Sequence, residues 1–382
     1  MRTICAFSGK RGGYGAYVPL MRRVEEDPEL ELLILLGDTH GSAEFGHTID
    51  EVREDFPEAA VELIEMGSGR GDTELVRAEN LGTCLVEAAR ILERRRPDVV
   101  LVHGDRGDHL MVAFAALNLG QVVAHTQGGD RSGNIDELQR HAITKLAHVH
   151  FPETEAAAER IRRMGEDDWR IRVVGSTYVD RIVGSLYVPP AEARASVGLG
   201  RDEPFLLAVV HPETFLDREA NRRQAEAVFA ALAASGLRTV LTYPCSDPGY
   251  EGVLQALDAR EGDPAFVIRK NLDNDVYLGL LASAEALVGN SSAALVEAPY
   301  FRLPAVNVGR RQEGRERDPN VVDADPSAEA VAAALSQVGN GTFRASLTST
   351  GRLGDGHAAE RILETLRELP IDDRLLRKQI TY

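Results

Sequence analysis

The sequence predicts an α/β protein that folds as two Rossmann-like domains, each built around a parallel sheet. The chain has 382 residues, which exceeds one ordinary hydrophobic core and fits two domains of roughly 150–200 residues each. Short apolar runs alternate along the chain with longer segments of helical periodicity, and this pattern predicts βαβ units. The alternation occurs twice, and the Pro189-Pro190 pair separates the two series.

In the first series, five short apolar runs are interpreted as strands. They are residues 2–7, 30–36, 99–103, 122–125 and 149–151. Residues 75–94 lie between two of these runs and repeat apolar side chains at helical spacing. Parallel strands connected by helices bind ligands at their carboxyl ends, so the loops that follow these strands are candidate sites.

The second series predicts another set of strands, at residues 204–210, 238–243, 265–268, 286–289 and 305–308. We therefore predict an N-terminal domain over residues 1–180, a C-terminal domain over 181–365 and a tail over 366–382. The end of the tail, residues 372–382, is charged. It fits either a packed terminal helix or a frayed end.

Composition narrows the class of protein. The three cysteines are far apart and form no C-x-x-C pair, so neither a disulfide framework nor a zinc site is indicated, and a reducing cytoplasm is the expected location. No run approaches the roughly 20 apolar residues of a membrane span. The net charge of −17 argues against a nucleic acid partner. It does not exclude a nucleotide ligand, because a few local arginines can hold a diphosphate.

Residues 8–15 (SGKRGGYG) follow the first strand and contain four glycines in eight residues. Such a loop lets the backbone approach a ligand, and Arg11 can bind a phosphate through two hydrogen bonds. The glycine spacing differs from that of the dinucleotide fingerprint. A plain tight turn is the alternative interpretation.

Asp105 and Arg106 follow the strand at residues 99–103. Polar residues crowded at the end of a buried parallel strand are hard to explain by packing, so they indicate a site. The alternative is that Asp105 caps the next helix and forms an ion pair with Arg106.

The next strand is followed by the loop HTQGGD at residues 125–130 and then by a helix. In that helix Asp136 and Arg140 are four residues apart, as are Glu137 and His141, so each pair shares a helix face. Exposed ion pairs would explain this spacing as well. The position of the loop at a strand end favours a site.

In the second half, residues 288–293 (VGNSSA) run from a buried strand into a small polar loop and a helix predicted to end near Pro299. The N–H groups at a helix N-terminus bind anions, although capping alone would explain Ser291 or Ser292. Residues 310–317 concentrate four arginines after another strand. Together they indicate a phosphate site, and a solvated charged loop is the alternative.

These segments together resemble hydrolysing UDP-N-acetylglucosamine 2-epimerases, which release N-acetylmannosamine, and their relatives that act on bacillosamine-type sugars. The resemblance also includes residues 140–146 (RHAITKL), His211-Pro-Glu, Tyr243-Pro and residues 311–315 (RQEGR), and it runs in order over about residues 1–345. It implies a GT-B fold, which is two Rossmann-like domains with a cleft between them. It also implies a UDP-sugar substrate, no metal or redox cofactor, and a homo-oligomer, either a dimer or a tetramer.

The resemblance also implies roles for individual residues. The nucleotide would be bound mainly by the C-terminal domain, with Arg11 near the diphosphate and Glu297 on the ribose. The implied nucleotide ligands are Ser291, Ser292, Glu297 and Arg311. The sugar site is implied for Asp105, Arg106, Gln127, Asp136, Glu137, Arg140 and His211.

The implied reaction gives these residues a chemical task. The C2 hydrogen of such a sugar is not acidic, so the anomeric C–O bond breaks first and leaves an oxocarbenium-like centre that acidifies C2. A carboxylate then removes the proton, leaving a glycal and UDP, while arginines and N–H groups stabilise the departing diphosphate. Water added to the glycal gives the free 2-epimer, and UDP added back gives the epimeric nucleotide.

The sequence departs from the family pattern at several positions. Gln127 stands where the resemblance implies a catalytic Glu or His, Asp130 replaces a Glu, Gly13 replaces an acidic residue, and Cys245 replaces an Asn. Because a carboxamide is not a base near neutral pH, Asp130 and Asp136 become the candidate bases. A non-hydrolysing epimerase, a glycosyltransferase and a silent sugar-nucleotide binder remain as alternative functions.

Overall fold

The computed structural model describes residues 1–9, 11–42, 47–66, 73–132, 135–245 and 247–382, with the main chain alone described at Arg11, Gly12, Asp38 and Thr39. Its contacts group into two compact units. The first contains Met1–Arg131, Ile135–Arg181 and Arg352–Tyr382, and the second contains Ile182–Gly351. Each unit is built around one parallel sheet, as predicted.

The sheet of the first unit has six strands in the order β3-β2-β1-β4-β5-β6. They are β1 (Arg2–Ser8), β2 (Leu30–Leu36), β3 (Ala60–Leu63), β4 (Val99–His103), β5 (Val122–Thr126) and β6 (Val149–Phe151). All neighbouring strands pair in parallel. The five predicted strands are confirmed, and β3 is an addition.

The sheet of the second unit has six parallel strands in the order β12-β11-β10-β7-β8-β9. They are β7 (Phe205–Val209), β8 (Arg238–Thr242), β9 (Phe266–Arg269), β10 (Ala286–Gly289), β11 (Ala305–Val308) and β12 (Val321–Ala324). The predicted strands are again confirmed, and the addition is β12. Both added strands lie at a sheet edge and are only partly buried.

The strands are connected by helices. In chain order these are α1 (Arg11–Glu26), α2 (Ile49–Asp55), α3 (Glu74–Arg95), α4 (Gly107–Asn118), α5 (Ile135–Leu146), α6 (Glu155–Arg163), α7 (Thr177–Val183), α8 (Pro190–Ser196), α9 (Arg218–Ala234), α10 (Tyr250–Asp258), α11 (Asn274–Leu281), α12 (Ala293–Val296), α13 (Ala328–Val338), α14 (Gly341–Ser346), α15 (Ala358–Glu368) and α16 (Asp373–Leu376). Within the described ranges, none of the helices has the length and hydropathy needed to cross a membrane.

Both faces of each sheet are buried, which is why the strands appear in the sequence as continuous apolar runs. In β1, Ile4 and Ala6 pack on one side of the sheet, and Cys5 and Phe7 pack on the other. The side chains of this strand therefore have no solvent-facing positions in its centre. The polar residues of interest follow the strands, where the buried run ends.

The end of the chain belongs to the first unit. The carboxylate of Asp180 accepts hydrogen bonds from the N–H groups of Ala358 and Ala359, at 2.9 and 2.6 Å, at the start of α15. The buried guanidinium of Arg170 donates to the carbonyls of Arg374 and Leu375 in α16, at 2.8 and 2.9 Å. The tail is therefore a packed segment with a short helix, which decides between the two interpretations that the sequence left open.

Candidate active site

Three neighbouring strands of the first sheet end at the same edge. In the sheet register, His103 of β4 is opposite Thr126 of β5, which is opposite Phe151 of β6. The residues that follow these three strand ends must therefore lie side by side. They include Asp105 after β4 and Gln127 after β5, both proposed from the sequence.

Arg140 connects the loops after β4 and β5. Its side chain, in α5, is 1% exposed, and its guanidinium donates to the carboxylate of Asp105 and to the carbonyl of Asp130, the latter at 3.0 Å. A buried guanidinium is stable only when it is paired, so this contact holds the Asp105 carboxylate in one orientation. The structure thus brings Asp105, Asp130 and Arg140 together.

The alternative interpretation of Asp105 as a helix cap is wrong. The N-cap residue of α4 is Arg106, whose side chain makes no capping hydrogen bond. The Nε of Arg106 lies 3.4 Å from the carboxylate of Asp108, which is 2% exposed. Arg106 therefore stands beside Asp105 in the chain, and its ion pair with Asp108 joins it to the first turn of α4.

Gln127 has an unusual backbone conformation. Its φ of 62° lies in the left-handed region, which non-glycine residues seldom adopt. Its N–H donates to the carbonyl of Phe151 at 3.1 Å, and its side-chain Nε2 lies 3.4 Å from Oε1 of Glu153. Glu153, 5% exposed, is a residue that the sequence analysis missed, although an acidic residue just after a strand was the available signal.

The second glycine after Gln127 is required by packing. A Cβ on Gly129, whose φ is +80°, would lie 2.3 Å from the carbonyl oxygen of Ala157 in α6. The close approach of α6 to this loop therefore excludes any larger residue. This explains one element of the HTQGGD segment without a ligand.

Asp136 and Glu137 lie in the first turn of α5, and both are partly exposed, as is Asp130. The carboxylate of Glu137 is 3.7 Å from Nε2 of His141, so the predicted pair on one helix face is present. Desolvation lowers the pKa of His141. The helix thus directs acidic side chains from its start towards the surface.

His125 connects the loop after β4 to the end of β5. It is fully buried, and its Nε2 lies 2.8 Å from the carbonyl oxygen of Gly104. Burial lowers the pKa of His125 to about 3, so the ring is neutral near pH 7 and Nε2–H donates to that carbonyl. This bond ties the end of β5 to the turn that carries Asp105.

The first loop differs from the prediction. Helix α1 begins at Arg11, so Gly13 and Gly15 lie within the helix and not in a loop before it. The tertiary fold has overridden the low helix propensity of glycine here. The Arg11 side chain, which the sequence assigned to the diphosphate, lies outside the described residues.

In the second unit, Asn290 joins the ends of two strands. Its buried side chain accepts a hydrogen bond from the N–H of His211 at 2.7 Å and donates to the carbonyl of His211 at 2.8 Å. Gln312 donates to the carbonyl of Asn290 at 2.9 Å. In the sequence Asn290 is visible only as part of the segment at residues 288–293, because a contact between residues 79 positions apart leaves no local signal.

His211 is oriented on both sides. Its main chain is held by Asn290, and its Nδ1 accepts a hydrogen bond from the N–H of Cys245 at 3.0 Å. In a neutral ring the proton then resides on Nε2, which becomes a hydrogen-bond donor. This arrangement suits His211 to contact an oxygen atom of a ligand.

Arg311 lies in the same group of loops. Its side chain is 15% exposed, and its Nη2 is 3.2 Å from the carboxylate of Asp247, which is 13% exposed. Its Nη1 donates to the carbonyl of Asn290 at 3.4 Å. The guanidinium therefore lies beside the loop that contains Ser291, and Asp247 is a neighbour that the sequence did not single out.

The helix predicted after β10 is present, but it is shorter than the segment up to Pro299. Helix α12 spans only Ala293–Val296, and a 3-10 turn over Ala298–Phe301 follows, because Pro299 has no N–H to continue an α-helix. Ser291 Oγ accepts a hydrogen bond from the N–H of Ala293 at 3.3 Å. The helix dipole is correspondingly small, so individual N–H groups are the main anion-binding feature that this segment offers.

The main-chain N–H groups of Ser291 and Ser292 have no acceptor among the described residues. Ser291, Ser292 and Glu297 are all partly exposed. Glu297 follows α12. Burial raises the pKa of the Tyr277 phenol, and the nearby charge of Glu297 raises it further. The second unit therefore gathers N–H donors, a guanidinium and an accessible carboxylate at one edge of its sheet.

Comparison with known proteins identifies what the chain resembles. A family model described as UDP-N-acetylglucosamine 2-epimerase matches residues 22–367. A UDP-N,N'-diacetylbacillosamine 2-epimerase (hydrolyzing) from Legionella pneumophila is 31% identical, with 100% of each chain covered. A UDP-N-acetylglucosamine 2-epimerase from Neisseria meningitidis is also 31% identical, over 96% of this chain and 95% of the relative.

A solved structure shares the fold. The crystal structure of Methanocaldococcus jannaschii UDP-GlcNAc 2-epimerase in complex with UDP-GlcNAc and UDP has a TM-score of 0.79 at 22% identity, covering 96% of this chain and 99% of that chain. This likeness shows the fold alone. Together with the two parallel sheets, it confirms the predicted GT-B class.

Proposed function

Because the chain belongs to the UDP-N-acetylglucosamine 2-epimerase family, we propose that it converts UDP-N-acetylglucosamine, or a related UDP-amino sugar, into the free 2-epimer and UDP. The family consists of UDP-sugar 2-epimerases, and the relative that is similar over the full chain is of the hydrolysing kind. The hydrolytic outcome and the sugar are therefore part of the proposal. Two sets of residues support it, one in each unit.

The observation that carries the proposal is the Asp105–Arg140 pair. An enzyme that moves a proton needs a carboxylate fixed within the reach of its substrate. The side chain of Asp105 is 27% exposed although its partner is buried, so one part of the carboxylate is held and the rest is accessible. An exposed ion pair between two flexible side chains would not give this fixed geometry.

The chemistry proceeds by elimination and hydration. The C1–O bond breaks, with its electron pair leaving on UDP, and a carboxylate takes the proton from C2 so that C1=C2 forms. Water then adds its oxygen to C1, and a proton arrives at C2 on the opposite face, which gives the 2-epimer. Asp130 and Asp136 are the candidate bases that the sequence supplies, and Glu137, Arg106 and His211 are the candidate contacts to the sugar.

The second unit is proposed to bind the nucleotide. The N–H groups of Ser291 and Ser292 and the guanidinium of Arg311 suit a diphosphate, since directed N–H groups and a bidentate cation both favour phosphate oxygens. Glu297 suits the ribose hydroxyls, because a carboxylate accepts hydrogen bonds from both. Stabilising the departing diphosphate lowers the barrier to C1–O cleavage.

A second candidate function is a binder of UDP-sugars that does not turn them over. Gln127 favours it, since a carboxamide occupies the position at which the resemblance implies a catalytic Glu or His. The two functions differ in turnover and share nucleotide binding. One experiment separates them.

Incubation with a panel of UDP-amino sugars in D₂O tests the proposed function. We expect UDP release together with a free 2-epimer that carries deuterium at C2, because the proton added to C2 comes from solvent. A UDP-linked 2-epimer would indicate the non-hydrolysing reaction. UDP binding without release or exchange on any sugar would favour the binder and contradict the proposal.

Thermal unfolding tests the nucleotide assignment. UDP at a hundredfold excess over its Kd should stabilise the protein by about 2.7 kcal/mol, a rise in Tm of roughly 5–10 °C. Arg311→Ala should remove much of this shift. The matched control is Arg310→Ala, which removes the same charge from a side chain that is 79% exposed and lies 2.8 Å from Glu313. An unchanged Tm with millimolar UDP would exclude the assignment.

A further inference from the structure

The proposed reaction needs two groups that exchange protons with C2, and the structure adds a residue to the candidate bases that the sequence supplies. Inversion at C2 requires that the proton leave from one face of the sugar and arrive on the other, so a single carboxylate cannot perform both steps. Asp105 provides one. We propose that Glu153 provides the other and accepts the C2 proton in place of Gln127, an inference that rests on the proposed function.

The first support is the position of Glu153 at the sheet edge. It follows Phe151 by two residues, just as Asp105 follows His103 by two, and β5 lies between their strands. Since neighbouring strands are about 4.8 Å apart, the ends of β4 and β6 are separated by roughly 9.5 Å. Glycosidases place their carboxyl pairs roughly 5–9.5 Å apart around a sugar ring.

The second support is the orientation of Gln127 between these two ends. A Cβ on Gly104 would lie 3.2 Å from Oε1 of Gln127, so the oxygen faces the β4 side, and Nε2 lies 3.4 Å from the carboxylate of Glu153 on the β6 side. The amide therefore lies across the strand ends and contacts Glu153 directly. The resemblance implies a catalytic side chain at position 127, after β5. The carboxylate of Glu153 lies one strand away from that position, after β6.

The third support is the cost of placing Gln127 there. Its left-handed backbone is unfavourable for a residue with a Cβ, and such conformations persist where surrounding contacts impose them. The hydrogen bond from its N–H to Phe151 is one such contact. A glycine would adopt the same φ without strain, so a side chain at this position indicates that the amide has a task.

The fourth support is the electrostatic position of Glu153. It immediately precedes Thr154, the N-cap residue of α6, and Thr154 accepts a hydrogen bond from the N–H of Ala157. The N-terminal end of a helix favours negative charge. A negative charge on Glu153 therefore lies close to the helix end that favours it.

The step balances with these groups alone. The carboxylate of Glu153 takes the proton from C2, the electron pair of that C–H bond forms C1=C2, and the C1–O pair leaves with UDP. Water then adds across the double bond, its oxygen to C1 and a proton to C2 from the side of Asp105. Glu153 returns its proton to solvent, and the products are UDP and the free 2-epimer.

The test exchanges the two side chains. Glu153→Gln, Gln127→Glu and the double variant Gln127→Glu/Glu153→Gln are compared with the unaltered protein for UDP release and C2 deuteration. The matched control is Glu155→Gln, which removes the same charge two residues away, from a side chain that is 70% exposed and bonds to Arg162. Stabilisation by UDP, measured for every variant, shows whether each one is folded and binds nucleotide.

We expect Glu153→Gln to lower UDP release and C2 deuteration by about 100-fold or more, with KM changed little and stabilisation by UDP retained. The double variant should regain about tenfold or more of that loss, because it restores one carboxylate beside one amide. Glu155→Gln should match the unaltered protein.

Two results would overturn the inference while leaving the proposed function intact. One is normal turnover by Glu153→Gln. The other is loss of C2 deuteration in Asp130→Asn or Asp136→Asn but not in Glu153→Gln, which would assign the base to those residues. If the unaltered protein turns over no sugar while Gln127→Glu does, the proposed function itself is wrong, and so is the claim that Glu153 compensates for Gln127.

Discussion

The Asp105→Asn variant should turn over the UDP-sugar about 10²–10⁴-fold more slowly than the unaltered protein, the range by which general acid–base groups accelerate reactions. Asparagine keeps the shape of the side chain and an oxygen that can accept a hydrogen bond from Arg140, but it removes the charge and the ability to take a proton. Turnover and C2 deuteration in D₂O measure the effect. The proposed function predicts a large loss in kcat that a change in the stability of the variant does not explain.

The control for this prediction is Asp168→Asn, which removes a carboxylate in the same unit from a side chain that is 79% exposed and lies 2.7 Å from Arg162. It should leave turnover unchanged. If Asp105→Asn retains normal turnover, Asp105 has no catalytic role. If turnover falls only in proportion to a lower Tm, Asp105 acts by stabilising the loop.

The second large effect concerns stability in acid. His148 is buried, and desolvation, with a further contribution from Lys378 and Arg170, lowers its pKa to about 4. In the unfolded chain a histidine titrates near pH 6.5. The folded state therefore keeps the ring neutral, and the unfolded state binds one more proton between these two pH values.

This difference in bound protons sets the direction in which stability changes with pH. The stability that depends on neutral His148 is fully present above about pH 6.5 and is lost as the pH falls towards 4. At pH 5 the loss amounts to about 2 kcal/mol, since one pKa unit corresponds to about 1.4 kcal/mol. His125, with a pKa lowered to about 3 by burial, should add a loss of the same size.

His148→Asn tests this effect. Nδ1 of His148 accepts a hydrogen bond from the N–H of Val123 at 3.0 Å, and the asparagine oxygen can replace that acceptor. The free energy of unfolding is measured with urea at pH 7.5 and at pH 5. We expect its fall between these two pH values to be about 2 kcal/mol smaller in the variant than in the unaltered protein. His357→Asn, at a side chain that is 57% exposed, is the control. An equal loss in His148→Asn and the unaltered protein would contradict the assignment.

The sequence determined the central strands and the helices because those elements have local signatures. Strands buried on both faces must be apolar throughout, so β1, β4 and β5 are visible as continuous runs. The edge strands β3 and β12 each pair on one side only and are partly exposed, and their short mixed sequences resemble those of loops. Their pairing with a neighbouring strand exists only in the folded sheet.

In the candidate site, too, some residues have a local sequence signature and others are defined by contacts that only the fold makes. Polar residues directly after buried strands identified Asp105 and the loop that contains Gln127, because that position depends on the chain alone. His211 was implied by the family resemblance. Local spacing placed Arg140 on one helix face with Asp136, four residues away, whereas the fold directs its guanidinium to Asp105, 35 residues away. A helix repeats every 3.6 residues and can reveal only neighbours along its own axis.

The residues that only tertiary structure revealed are those defined by a partner far along the chain. Glu153 is significant because Gln127, 26 residues earlier, lies against it, and Asn290 because it binds His211, 79 residues earlier. Sequence periodicity contains no information on which strand ends meet, since the order of strands in a sheet follows from helix packing and chain connections. Sequence alone therefore determined the fold class and the strand-end loops, and the parallel register decided which carboxylates and amides stand side by side.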